Sequence, residues 1–155
     1  MKKLMMIVAG VLMMGMLVAQ AGVKEDLEAG KSLVEVLNNA VAAGSTLEQA
    51  VADVLGAMTS PTDEDIVNVL KAAYGIDPAK IAEIAAAAAG ALPDKAAFIA
   101  AEATKLATDK ATDIAKAVVA AVPDKADEIK DAIIVVVPDQ AQQITDAVTQ
   151  TVTLI

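Results

Sequence analysis

The sequence of 155 residues contains no cysteine, histidine or tryptophan, and it has one tyrosine and one phenylalanine. Arginine is absent as well. Without these residue types there is no thiol nucleophile, no imidazole base, no common zinc ligand and no guanidinium clamp for an anion. A paired-carboxylate acid–base site stays open as an alternative, but it requires a cleft that shifts one pKa. The sequence therefore predicts a protein that is not an enzyme and uses no cofactor or metal.

The two aromatic side chains, Tyr74 and Phe98, are too few for a platform that stacks sugars or bases. We expect both to fill gaps in the core. Acidic residues outnumber lysines by 21 to 12, which gives a formal net charge of −9. Such an acidic surface argues against nucleic acid or anionic lipid as a partner.

Residues 1–21 have the pattern of a secretory signal peptide. Lys2 and Lys3 precede an apolar run from Leu4 to Val18, and Ala19-Gln20-Ala21 has the small-x-small form of a cleavage site. The alternative is a retained anchor helix, for which ~20 apolar residues are the usual requirement. Removing the two lysines lowers the net charge from −9 to −11. The sequence predicts export to the periplasm or the cell exterior, with no membrane span in the mature chain.

Residues 78–155 contain a tandem repeat of 15 residues in five copies, which begin at Pro78, Pro93, Thr108, Pro123 and Pro138. Position 7 of every copy is isoleucine: Ile84, Ile99, Ile114, Ile129 and Ile144. Positions 4, 7 and 11 are apolar throughout, and this spacing places them on one face of a helix. Because one short helix cannot bury that face alone, the repeat predicts an all-α array, stacked as a small α-solenoid or an irregular helical bundle.

Proline at position 1 suits the first turn of a helix and is costly in a helix interior. The third copy has Thr108 instead, so 93–122 could also form one continuous helix. We favour two helices, because Thr-Asp is a good helix start and Lys110 would lie on the apolar seam of a continuous helix. The aspartates at position 2 are interpreted as first-turn residues that meet the helix dipole. The alternative is a calcium ladder, but alternating helices would divide these carboxylates between two edges.

Residues 22–77 show the same construction in looser form and are interpreted as the N-terminal capping helices of one continuous domain with 78–155. Glycines 30, 44, 75 and 90 are predicted helix C-caps. Ser32 with Glu35 and Ser45 with Glu48 have capping-box spacing, and Ser60-Pro61 and Asp77-Pro78 pair a cap with a first-turn proline. These signals predict helices near 24–29, 32–43, 46–58, 61–74 and 78–90.

The C-terminal copies are rich in β-branched residues, which favour strands, but the repeat register predicts helix there as well. No polar capping segment follows Thr153-Leu154-Ile155, and an apolar last copy favours contact with a partner. The residues predicted to take part in self-association are Val148, Val152, Leu154 and Ile155.

The PDKA and PDQA copies, with an isoleucine three residues after the alanine, resemble those of uncharacterised secreted bacterial Ala-rich proteins with Pro-Asp-x-Ala helical repeats. This resemblance covers about half of the chain and brings no activity, ligand or functional residue with it. The first functional hypothesis is an exported scaffold or protein-interaction module that self-associates or binds another protein. The second is a periplasmic carrier or chaperone-like binder of apolar ligands, with a groove lined by positions 7 and 11.

Overall fold

A computed structural model describes residues 22–155 of the chain. The predicted signal peptide over 1–21, and its alternative as an anchor helix, lie outside the described residues. Within the described part the chain forms nine α-helices and no strand, so the predicted all-α fold is confirmed. They are α1 (22–28), α2 (Leu33–Ala42), α3 (Leu47–Ala57), α4 (Asp63–Ile76), α5 (Ile81–Ala91), α6 (Ala96–Leu106), α7 (Ala111–Ala121), α8 (Ala126–Val136) and α9 (Ala141–Leu154).

Each 15-residue copy begins with a 3₁₀ turn of three residues, and an α-helix follows it. In the first four copies the helix has 11 residues and ends at position 14. The residue at position 15 then leaves the helical region, with φ between −131° and −145° and ψ between 70° and 78° at Leu92, Ala107, Val122 and Val137. Ala107 forms this corner without a following proline, so 93–122 is two helices.

The helices stack in two rows, because each contacts both its sequence neighbour and the helix two further along. One row contains α3, α5, α7 and α9, and the other contains α2, α4, α6 and α8. Helices α8 and α9 confirm the helical register over the β-branched C-terminal copies. The array is a two-row stack, which is the solenoid form of the predicted architecture.

The repeat core lies between the rows. All five isoleucines at position 7 are fully buried, with no exposed fraction: Ile84, Ile99, Ile114, Ile129 and Ile144. Position 11 is buried in every copy as well. Buried side chains from Val23 to Val148 belong to one continuous apolar cluster, against which Tyr74 and Phe98 pack as partly buried neighbours.

Some of the predicted helix caps are wrong by one or two residues. The box of Ser32 with Glu35 is confirmed, since Ser32 Oγ accepts from Glu35 N at 3.3 Å. The predicted cap at Ser45 is wrong, because Thr46 caps α3 and Gln49 completes the box. Likewise Thr62, not Ser60, caps α4. In both cases a second hydroxyl residue stands one or two places further on and supplies the cap.

The glycines divide into two pairs. Gly30 and Gly44 have φ of 73° and 108° after the ends of α1 and α2, as predicted for C-caps. The predicted caps at Gly75 and Gly90 are wrong, because both glycines lie within the helices α4 and α5. The residue that follows each helix, Asp77 after α4 and Leu92 after α5, has φ of −143° or −131°, so no left-handed residue is required. Val41 of α2 is 41% exposed, whereas its neighbour Ala40 is 5% exposed and buried.

Candidate functional site: a groove across α5 and α7

An open groove of about 610 Å³ runs across helices of the odd-numbered row. Its floor consists mainly of alanine methyl groups from α5, α7 and the turn before α5: Ala79, Ala82, Ala117 and Ala120. Thr151 of α9 closes one end. Copies one and three stack directly at the groove, and copy one carries Ala79 where every later copy carries aspartate.

Charged side chains of both signs form the rim of the groove. Glu83 and Asp113 contribute carboxylates, and Lys110 and Lys116 contribute ammonium groups. All four side chains are exposed, so they remain hydrated and mobile enough to pair with a ligand. The rim carries equal numbers of each charge, whereas the chain as a whole has a net charge of −9. This groove is therefore less acidic than the average surface of the protein.

The corner next to the groove is fixed by an ion pair that crosses two repeats. Lys80 Nζ lies 2.8 Å from Glu48 Oε1, which joins the turn before α5 to the start of α3. Partial burial opposes ionisation of Glu48, but hydrogen bonds from Lys80 and Thr46 outweigh it, and its pKa is lowered. The hydrogen bond to Glu48 raises the pKa of Lys80. Both groups stay charged at neutral pH, and the floor residue Ala79 is held beside them.

The lysines at position 3 of the repeat form ion pairs of two kinds. Lys95 Nζ contacts Asp63 Oδ1 at 2.7 Å, and this offset of 32 residues equals that of Lys80 and Glu48. Lys125 instead binds an acid of its own copy, with Nζ 3.0 Å from Glu128 Oε1. The residue 32 positions before each of the two lysines Lys80 and Lys95 lies in the first turn of the preceding helix of the same row. Where that residue is acidic, it forms an ion pair with the lysine.

The two departures from the repeat consensus contact each other. Gln140 stands where the other copies have lysine, and Thr108 stands where they have proline. Gln140 Nε2 donates to the carbonyl oxygen of Thr108 at 3.0 Å, again with an offset of 32 residues. This hydrogen bond connects the fifth copy to the third and continues the edge that Lys80 and Glu48 begin.

The carboxylates of the described part are all at least partly exposed. Within 22–155, no group of three or more acidic side chains has an arrangement that could hold a metal ion. The position 2 aspartates of copies two to five lie exposed in the first turns at alternate edges. None of the helices between residues 22 and 155 combines the length and apolar character that crossing a membrane requires.

The sequence predicted a ligand groove lined by positions 7 and 11, and this prediction is wrong. Side chains at both positions are buried in all five copies, because they fill the space between the two rows. The alanines on the floor of the observed groove stand at positions 2, 5, 10 and 13 instead. Only small side chains at those positions mark it in the sequence, and their meeting depends on the stacking of copies one and three.

The residues predicted for self-association do not all lie on the surface. Val148 is 4% exposed and belongs to the core, because position 11 faces the space between the rows. Val152, Leu154 and Ile155 are 46%, 86% and 67% exposed. Helix α9 runs on to Leu154 instead of turning at position 15, so Val152 stands at the place of the corner and Leu154 and Ile155 lie beyond it.

Comparisons of the chain with known protein families, with curated proteins and with solved structures find no match.

Proposed function

We propose that the protein is an exported, non-enzymatic helical repeat protein that serves as a scaffold or protein-interaction module. The groove across α5 and α7 supports this proposal most directly. Its alanine floor accepts a close approach by a backbone, and its mixed-charge rim offers partners for polar side chains. Small-molecule sites enclose most of their ligand. This groove is shallow and open to solvent, so it suits a segment of another protein better.

The stack supplies the rigidity that such a role requires. Repeat arrays expose extended surfaces whose shape is fixed by the stacking of neighbouring copies. Here the floor alanines Ala82 and Ala117 lie on helices that are anchored in the core by the fully buried Ile84 and Ile114. This protein therefore loses little conformational entropy when a partner binds in the groove.

Site-specific photo-crosslinking in the exporting cell tests the groove. A photoreactive residue at Ala82 or at Ala117 should give a discrete adduct with another protein. The matched control is Asp131, an exposed residue on α8 in the other row, which should give none. Equal labelling at all three positions, or no protein adduct from either groove position, would contradict the proposed binding surface.

The export part of the proposal is tested separately by the mass of the protein recovered from outside the cytoplasm. Cleavage after Ala21 leaves Gly22 as the first residue. Full-length protein that stays in the cytoplasmic fraction would disprove export and leave the groove proposal untouched.

Self-association is a second form of the proposal, favoured by the exposed apolar side chains at the end of α9. If it occurs there, replacing Leu154 and Ile155 by glutamine lowers the association constant measured by sedimentation equilibrium. Val135→Gln on α8 is the control, because Val135 is 82% exposed but lies away from that end. A full-length protein that is monomeric at high concentration would exclude this form.

A further inference from the structure

Three columns of the repeat separate the first three copies from the last two. Positions 4, 8 and 12 are at most 1% exposed in α5, α6 and α7: Ile81, Ala85 and Ala89; Ala96, Ala100 and Thr104; Ala111, Ala115 and Val119. The same positions are partly or fully exposed in α8 and α9: Ala126, Lys130 and Ile134; Ala141, Thr145 and Thr149. Positions 7 and 11 stay buried in all five copies.

This difference identifies the surface that receives the next helix of a row. Helices α5, α6 and α7 are each followed in their row by a helix two places further along. No helix of the described chain follows α8 or α9 in this way. We therefore call positions 4, 8 and 12 the stacking face. Positions 7 and 11 face the other row, which is present beside every copy.

The residue types on the stacking face change together with its exposure. In the first three copies the face is apolar except for Thr104, whose hydroxyl donates to the Ala100 carbonyl at 2.8 Å. On α8 the face carries Lys130, whose ammonium lies 2.8 Å from Asp127 Oδ1. Covering Lys130 with an apolar helix would take its ammonium group out of water, and the attraction of a partner carboxylate such as that of Asp127 seldom repays this loss.

Helix α9 carries polar groups on and beside the same face. Thr145 and Thr149 occupy positions 8 and 12, and Gln142 stands at position 5, next to the face. Gln142 Nε2 donates to Asp146 Oδ1 at 2.9 Å. At position 5 the earlier copies carry Ala82, Ala97 and Thr112, which are partly covered. Solenoids require terminal repeats with a polar outer face for solubility.

We infer that the fourth and fifth copies form the terminal cap of the array, and that their stacking face excludes a further helix, including one from a second copy of this protein. The sequence suggested the opposite, because no polar segment follows Thr153-Leu154-Ile155. The cap is instead built into the repeat register itself. This inference is independent of the proposed groove.

The test removes the cap without changing the net charge. The variant carries Asp127→Ala, Lys130→Ala, Thr145→Ala and Thr149→Val, which restores the residue types of the internal copies. We expect its association constant, measured by sedimentation equilibrium on the full chain, to rise at least tenfold over the wild type. The control carries Glu64→Ala, Lys71→Ala, Gln143→Ala and Gln150→Val, which are exposed positions outside the stacking face, and should behave as the wild type.

Both proteins are compared again with Leu154→Gln and Ile155→Gln added, so that contacts through the end of α9 cannot account for the difference. An uncapped variant that keeps its helix content by circular dichroism, and stays as monomeric as the control, would overturn the inference.

A second comparison keeps the inference testable if the uncapped protein precipitates. Lysine is placed at position 8 of an internal copy, Ala115→Lys, and at position 8 of the cap, Thr145→Lys. We expect the first to reduce the helix content at 25 °C and the second to leave both helix content and oligomeric state unchanged. Equal damage by the two substitutions would show that position 8 of α9 is not an open cap surface.

Discussion

Thr108→Pro is the substitution for which one helix and two helices over 93–122 predict opposite effects on stability. The residue before it, Ala107, has φ −145° and ψ 78°, close to the values of Leu92 and Val122, which precede prolines. Proline disfavours the α-helical region for the residue before it, and Ala107 already lies outside that region. The hydrogen bond from Gln140 goes to the carbonyl of Thr108, which proline retains.

The expected effect is a gain in the free energy of unfolding of about 0.4–1 kcal/mol, because proline reduces the freedom of the unfolded chain without straining the folded one. A continuous helix would instead lose about 3 kcal/mol or more, since proline removes a hydrogen bond and clashes with the preceding turn. The two structures thus differ in the sign of the effect. Urea denaturation followed by circular dichroism measures it by linear extrapolation.

Two further variants calibrate this measurement. Pro123→Thr makes the reverse change at an equivalent corner and should lower the free energy of unfolding by about 0.4–1 kcal/mol. Ala115→Pro places proline inside α7 and should lower it by about 3 kcal/mol or more. If Thr108→Pro is as damaging as Ala115→Pro, the corner between α6 and α7 does not exist and the two-row stack is wrong.

Three other predictions concern caps, core and pH. Gly90→Ala should stabilise the protein by about 0.5–1 kcal/mol, since Gly90 lies in α5 and the added Cβ would meet open space. Gly44→Ala should destabilise the protein, because φ at Gly44 is 108°. Thermal denaturation of the two variants compares these effects. Ile114→Ala should cost about 2–5 kcal/mol in urea denaturation, and Val135→Ala, at an 82% exposed position, within about 0.5 kcal/mol. Hydrogen bonds from the backbone and the hydroxyl of Thr62 lower the pKa of Asp65. The contribution of Asp65 to stability is therefore complete above its unfolded pKa of about 4, and it is lost as the pH falls through the lower folded pKa. The Asp65→Asn variant should lose less stability than the wild type on acidification.

The architecture could be predicted because each copy carries its own start signal and its own apolar face. Prolines and position 7 isoleucines placed the helices α5 to α9 within a few residues of their observed bounds. Helix ends were harder where two signals compete locally. Ser45 and Thr46 each have an acidic or amide residue three places later, and only the orientation of Leu47 toward the core selects Thr46.

The groove and the cap could not be predicted in the same way, because both depend on which copies touch. The offset of 32 residues that joins Lys80 to Glu48, and Gln140 to Thr108, is a property of the stack and not of one copy. The same holds for position 8, which is alanine in α7 (Ala115) and threonine in α9 (Thr145). This difference can be interpreted only when it is known whether a further helix of the row covers that position. Periodicity alone shows that a face is apolar, but not what covers it.

The floor alanines of the groove and the position 7 isoleucines of the core occupy different columns of the same helices. Ala82 and Ala117 form the floor at positions 5 and 10, whereas Ile84 and Ile114 hold the helices at position 7. A larger side chain on the floor would extend into solvent, since the groove is open, and would leave the space between the rows unchanged. Loss of a protein adduct in a folded groove variant would therefore report on the contact with the partner itself.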